Sequence, residues 1–109
     1  MISTGRADAA ANDDVLLYGL RADARTRDEF VVLPEPLSTE PYSLIIRRDE
    51  AAFKDVVNAA LGEIFKNGQA ERLYEKWFDN PIPPNGINLR LPLSDEVNAT
   101  FADPRESRD

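Results

Sequence analysis

Apolar positions recur most regularly between Asp49 and Phe78. Phe53, Val56, Val57, Ala60, Leu61, Ile64 and Phe65 share one face at helical spacing, while Lys54, Asp55, Asn58 and Glu63 fall on the opposite face. Asp49 is the predicted N-cap, and Glu50 in the first turn suits the positive end of the helix dipole. Asn67-Gly68 is the predicted stop, because glycine takes the left-handed cap conformation without steric cost. A second helix then gathers Ala70, Leu73, Tyr74, Trp77 and Phe78 on one face, with Trp77 and Phe78 read as core anchors. Asn80-Pro81 ends it, since proline disfavours the helical conformation in the residue before it. The pair forms a helical hairpin whose apolar side needs a covering layer.

The pattern on either side is different. Asn12-Asp13-Asp14 is a helix-start cluster ahead of Val15, Leu16, Leu17, Tyr18 and Leu20, and this helix fades through Arg21 to Arg27. The preceding run Arg6 to Ala11 is undecided, and the order short segment, Asp-Asp, helix resembles a strand-turn-helix unit. Phe30 to Leu33 and Tyr42 to Arg47 read as strands, the second with an apolar centre suited to burial on both faces. Between them Leu37 to Pro41 is a polar, proline-flanked connector. The order strand, helix, strand, strand, helix, helix predicts an α/β fold. After Phe78, the stretch Asn80 to Gly86 is expected to be irregular, and Ile87 to Leu93 alternates as a short extended piece. Ser94 is the predicted cap of a helix over Val97 to Phe101, with Asp95 and Glu96 in its first turn. Asp103 to Asp109 reads as a mobile charged tail.

Length bounds the chain to one small domain, since it has 109 residues. Thirteen Lys and Arg against 20 Asp and Glu leave a net charge of −7, which argues against nucleic acid and against an anionic membrane surface. The chain has no cysteine and no histidine, so thiolate chemistry is excluded and the commonest general base and metal ligand are missing. Adjacent Asp13 and Asp14 lack a third ligand at motif spacing, so no metal and no cofactor is expected. No apolar run reaches the ~20 residues that span a bilayer. No leader order is visible at the N-terminus, which fits a cytosolic protein or a chain that lacks its natural beginning.

Several strings together carry a resemblance: Gly5-Arg6-Ala7-Asp8-Ala9, Asn12-Asp13-Asp14, Glu40 through Asp49, Asn67 through Glu71, and Tyr74 through Phe78. In this order they resemble the C-terminal part of amino-acid-binding proteins of ABC transporters, the periplasmic solute-binding family 3. Asn80 to Asn85 and Leu93 to Glu96 are similar to the glutamate/aspartate-binding branch. The resemblance implies the C-terminal portion of a two-lobed, type II periplasmic binding protein fold, incomplete in this chain. Residues 1–36 would belong to the second lobe, 37–41 to the hinge, 42–78 to the first lobe, and 79–109 to a C-terminal extension. It also implies a periplasmic location, L-glutamate or L-aspartate as ligand of the full-length protein, and ABC permease subunits as partners. The arginine and the serine and threonine donors that hold the ligand in this family would lie upstream.

One ligand contact is implied within the chain. In this family a carboxylate after the Gly-Arg-Ala strand receives the ligand's α-ammonium group, and the matching position is Asp13. From the residues alone Asp13 reads as a helix N-cap, and both readings stand at this point. Two other functions are weighed. An enzyme on the same fold, such as a dehydratase-like or lyase relative, would need Asp13 as a base, and no second carboxylate is placed to pair with it. A self-associating module would cover its strand edges and helix face by exchanging elements with a second copy, as a domain-swapped homo-oligomer.

Overall fold

The computed structural model describes residues 2–104. Four α-helices form: α1 Asp14–Asp23, α2 Ala51–Lys66, α3 Gln69–Phe78 and α4 Asp95–Ala102, with single 3-10 turns at Ile2–Thr4 and Arg27–Glu29. The backbone divides into two units. One comprises Met1–Pro36 with Glu75–Pro92, the other Leu37–Tyr74 with Leu93–Asp109, so the division cuts α3 between Tyr74 and Glu75.

In the second unit the helical hairpin forms much as its periodicity predicts. α2 starts at Ala51 with Glu50 as N-cap, one residue later than the predicted Asp49 cap, and the Glu50 side chain supplies no capping bond. Instead the Glu50 N–H donates to the Arg47 carbonyl at 3.3 Å, closing a turn that holds Asp49 outside the helix. Asn67 ends α2, its N–H donating to the Glu63 carbonyl at 3.0 Å. Gly68 follows at φ +77, where a side chain would be strained, and the Asn67 Oδ1 accepts from the Gln69 N–H at 2.9 Å to start α3 at once. α4 begins where Ser94 predicts, with Ser94 Oγ accepting from the Val97 N–H at 3.2 Å. It is anchored on α2 by Phe65 and Phe101, whose rings stack with centroids 5.3 Å apart and planes 23° from parallel.

In the first unit α1 is followed by the 3-10 turn Arg27–Glu29, on which it packs. The end of α3 carries the loop of residues 79–92 back over its own last turn. Leu91 N–H donates to the Phe78 carbonyl at 3.0 Å, Asn80 Nδ2 to the Glu75 carbonyl at 2.9 Å, and Asn88 Nδ2 to the Asp79 carbonyl at 3.2 Å. The Phe78 carbonyl is one that a helix C-terminus leaves without an intrahelical partner, whereas the Glu75 carbonyl also accepts from the Asp79 N–H at 3.1 Å. Within the loop Ile82 and Ile87 form an antiparallel bridge, the Pro83–Pro84 peptide is cis, and Gly86 sits at φ +70. Asn88 Oδ1 accepts from the Arg90 N–H at 2.7 Å, holding Arg90 at φ 54. The stretch expected to be irregular is therefore tied down by asparagine side chains.

The α/β expectation is not met within this chain: among the described residues no strand forms, and the bridge at Ile82 and Ile87 is the sole ladder contact. Residues 30–33 and 41–47 carry no regular element. The cause is physical. A helix satisfies its backbone from within, whereas a strand needs a neighbour for its N–H and C=O groups. The apolar faces are likewise uncovered. Among the described residues Ala70 alone is buried, while Phe53, Val56 and Leu73 are exposed. Trp77, predicted as a core anchor, is 42 % exposed, with Lys76 Nζ 5.3 Å from its ring centroid; Phe78 is half-buried. The charged tail over Asp103 to Asp109 falls largely outside the described residues.

Candidate functional site

Asp13 is the residue immediately before α1, with φ −56 and ψ 139, and it is exposed. Three bonds build its surroundings. Asn12 Oδ1 accepts from the Asp13 N–H at 2.8 Å, the Asp13 carbonyl accepts from the Leu17 N–H at 3.0 Å, and Asp14 Oδ1 accepts from the Val15 N–H at 2.7 Å. Asp13 thus occupies the N-cap position by backbone, while its carboxylate makes no capping bond to the first turn. Asp14 answers one of the free N–H groups instead. The N-cap reading of Asp13 therefore holds for its main chain and fails for its side chain. A carboxylate at this position lies beside the N-terminal, positive end of the α1 dipole.

Other polar and charged side chains near the strand and helix ends fall outside this cluster. Tyr42 is 75 % exposed and belongs to the other unit. Arg25 and Arg27 are exposed beyond the end of α1, and Arg21 is half-buried on it. Among the described residues no group of His, Cys, Asp or Glu is arranged to hold a metal ion. Among them, too, no helix is long and apolar enough to cross a membrane. Two open cavities lie on the second unit. One, of about 460 Å³, runs along the C-terminal half of α2 past Ala59, Gly62 and Lys66. The other, of about 280 Å³, is lined by Ile45, Ile46, Arg47, Glu50 and Phe53. No residue pattern signals the second, because it arises where a stretch without regular structure meets the first turn of α2.

Comparison with known proteins now defines the class. No family model matches the chain. It is 42 % identical over 106 residues to the L-glutamate/L-aspartate-binding protein of Pseudomonas aeruginosa, which covers 97 % of this chain and 35 % of that protein. It is 38 % identical over 105 residues to the glutamate/aspartate import solute-binding protein of Escherichia coli, covering 96 % of this chain and 35 % of the relative. The Salmonella typhimurium protein of the same name is 37 % identical over the same shares. This chain is therefore homologous, along nearly its whole length, to part of the glutamate/aspartate-binding solute-binding proteins, and it spans about a third of their length. These relatives are binding proteins by name, which gives the enzyme reading weighed from sequence no support.

Proposed function

We propose that this chain is part of the substrate-binding component of an ABC importer for acidic amino acids. In this reading L-glutamate or L-aspartate is trapped in the periplasm between two lobes that close about a hinge, and the closed form is presented to the permease subunits. The lobes are α/β layers of a type II binding-protein fold, to which residues 1–36 and 42–78 contribute pieces joined through 37–41. Within it Asp13 receives the ligand's α-ammonium group. An ionised carboxylate facing an ammonium in a closing cleft makes a charge-assisted hydrogen bond. The remaining ligand contacts belong to polypeptide outside the matched third.

The observation that carries this reading is 42 % identity along 97 % of the chain to a glutamate/aspartate-binding protein. The position of Asp13 supports it, since this exposed residue stands immediately before α1, where the resemblance places the ligand's carboxylate partner. The test is a chimera in which this chain replaces the matched residues of the Pseudomonas aeruginosa relative. Calorimetric titration is expected to find binding of L-glutamate and L-aspartate well ahead of L-glutamine and L-arginine. A chimera that unfolds cooperatively, and so is folded, yet binds neither acid would overturn the assignment.

A further inference from the structure

Two Asn-Gly pairs stand in the chain, Asn67-Gly68 and Asn85-Gly86. Such a pair holds both partners of an intramolecular reaction. The glycine nitrogen can attack Cγ of the asparagine amide, and the glycine carries no Cβ to obstruct the approach. Both asparagines are exposed, and both glycines have positive φ, +77 at Gly68 and +70 at Gly86. Exposure and glycine conformation therefore do not separate the two pairs. Hydrogen bonding does.

At Asn85-Gly86 the attacking nitrogen is engaged. The Gly86 N–H donates to the Ile82 carbonyl at 2.8 Å, beside the bridge in which the Ile82 N–H donates to the Ile87 carbonyl at 2.9 Å. Attack must first break the Gly86 bond. At Asn67-Gly68, among the described residues, the Gly68 N–H donates no hydrogen bond. The carbonyl under attack is also polarised there. Asn67 Oδ1 accepts from the Gln69 N–H at 2.9 Å, and this oxygen carries the negative charge of the tetrahedral intermediate. Ring closure turns Asn67 away from its present ψ of 4. The bond from the Asn67 N–H to the Glu63 carbonyl precedes that torsion, and the next bond along, from the Arg72 N–H to the Gly68 carbonyl, is 3.3 Å long.

We propose that Asn67 is a site of spontaneous modification without an enzyme, and that Asn85 is shielded from the same reaction. The Gly68 nitrogen gives its proton to solvent and bonds to Asn67 Cγ. The Cγ–Nδ2 bond breaks, ammonia leaves, and a five-membered succinimide forms. Water then opens the ring at one of its two carbonyls. One opening leaves aspartate at position 67. The other leaves isoaspartate, with the main chain running through Cγ. No electrons are gained or lost. The new carboxylate stands where the C-terminal end of α2 meets the N-terminal end of α3, and the first end disfavours the charge while the second favours it. Isoaspartate also lengthens the main chain between the helices by one methylene, so the hairpin loosens as conversion proceeds. No step involves an acidic amino-acid ligand, so the proposal stands apart from the function proposed above.

The experiment holds the full chain in mildly alkaline buffer made with water enriched in oxygen-18, with a parallel sample in concentrated urea. Peptide mapping by mass spectrometry follows heavy-oxygen uptake at each asparagine, and fragmentation separates aspartate from isoaspartate. In urea the two Asn-Gly pairs should convert at similar rates, within about twofold, because only local sequence acts there. In buffer Asn85 should fall behind Asn67 by roughly threefold to tenfold, the factor that one main-chain hydrogen bond supplies. Both aspartate and isoaspartate should appear at position 67. Equal rates in buffer, or a faster Asn85, would overturn the proposal. So would an Asn67 that stays intact while the urea sample converts, or products at position 67 without isoaspartate.

Discussion

Asp13→Asn separates the two roles available to the residue before α1. Asparagine and aspartate are about equally good N-caps. Moreover the Asp13 carboxylate makes no capping bond, and the bond that the Asp13 carbonyl accepts from the Leu17 N–H at 3.0 Å is main-chain and survives the change. At the helix the change removes one negative charge from the dipole's positive end, ~0.3–1 kcal/mol at an exposed site. Asp14 retains such a charge one residue on, with its Oδ1 on the Val15 N–H. The helix should therefore lose a few tenths of a kcal/mol at most. The ligand loses much more. Replacing a charge-assisted bond to an ammonium removes ~1.5–3 kcal/mol, equivalent to a roughly ten- to 150-fold weaker Kd. Calorimetric titration of the chimera with L-glutamate, with thermal unfolding of the same samples, reads both quantities. The expected result is a large fall in affinity with Tm almost unmoved. Asp14→Ala should give the opposite pattern, a lower Tm with affinity retained. A Kd for Asp13→Asn within about twofold of the parent would refute the ammonium contact and return Asp13 to a purely local role.

The other predictions concern the described folds of each unit. Phe65→Leu and Phe101→Leu, combined in a double-mutant cycle, should show a coupling of ~1 kcal/mol, the value of a stacked pair beyond its buried area; hydrogen exchange of the α4 amides should rise about fivefold for the pair term alone. Ser94→Ala should cost α4 ~1 kcal/mol by removing the bond from the Val97 N–H, and Ser94→Thr should cost less, again read by exchange. Gly68→Ala forces a Cβ onto φ +77 and should destabilise the turn between α2 and α3 by ~1 kcal/mol, with Gly68→Asn milder, measured by helical circular dichroism through thermal unfolding. Asn88→Ala removes both its bond to the Asp79 carbonyl and its bond from the Arg90 N–H, so proteolysis within residues 79–92 should quicken, whereas Arg90→Gly should slow it by easing φ 54.

The helices were legible because each carries its own instructions. The apolar period of α2, the Asn67-Gly68 stop and the Ser94 cap are local features that meet local partners, and the structure places all three where the residues predict. The cap at Asp49 was misplaced by one residue, since a turn bonded through Arg47 competes with it. The loop after α3 is less legible. Prolines there signal an absence of helix and strand, but Asn80 and Asn88 act at a distance, and only the folded chain brings Asn88 Nδ2 to the Asp79 carbonyl. At the candidate site the residues alone offered an N-cap, and the geometry kept the position while releasing the carboxylate from that task.

The strands failed for a different reason, and the failure is itself informative. Tyr42 to Arg47 has the strongest strand pattern in the chain, and its pattern describes a sheet interior with apolar residues on both faces. Propensity of that kind measures fit to neighbours more than any preference of the backbone. With Ile45 fully exposed and α2 bare at Phe53 and Val56, the neighbours the pattern presupposes are not found among the described residues. A helix face and a strand pattern that agree in demanding the same missing layer are hard to reconcile with a self-sufficient module. They are what a stretch matching a third of a larger binding protein shows, with local order kept in the helices and no sheet order among the described residues.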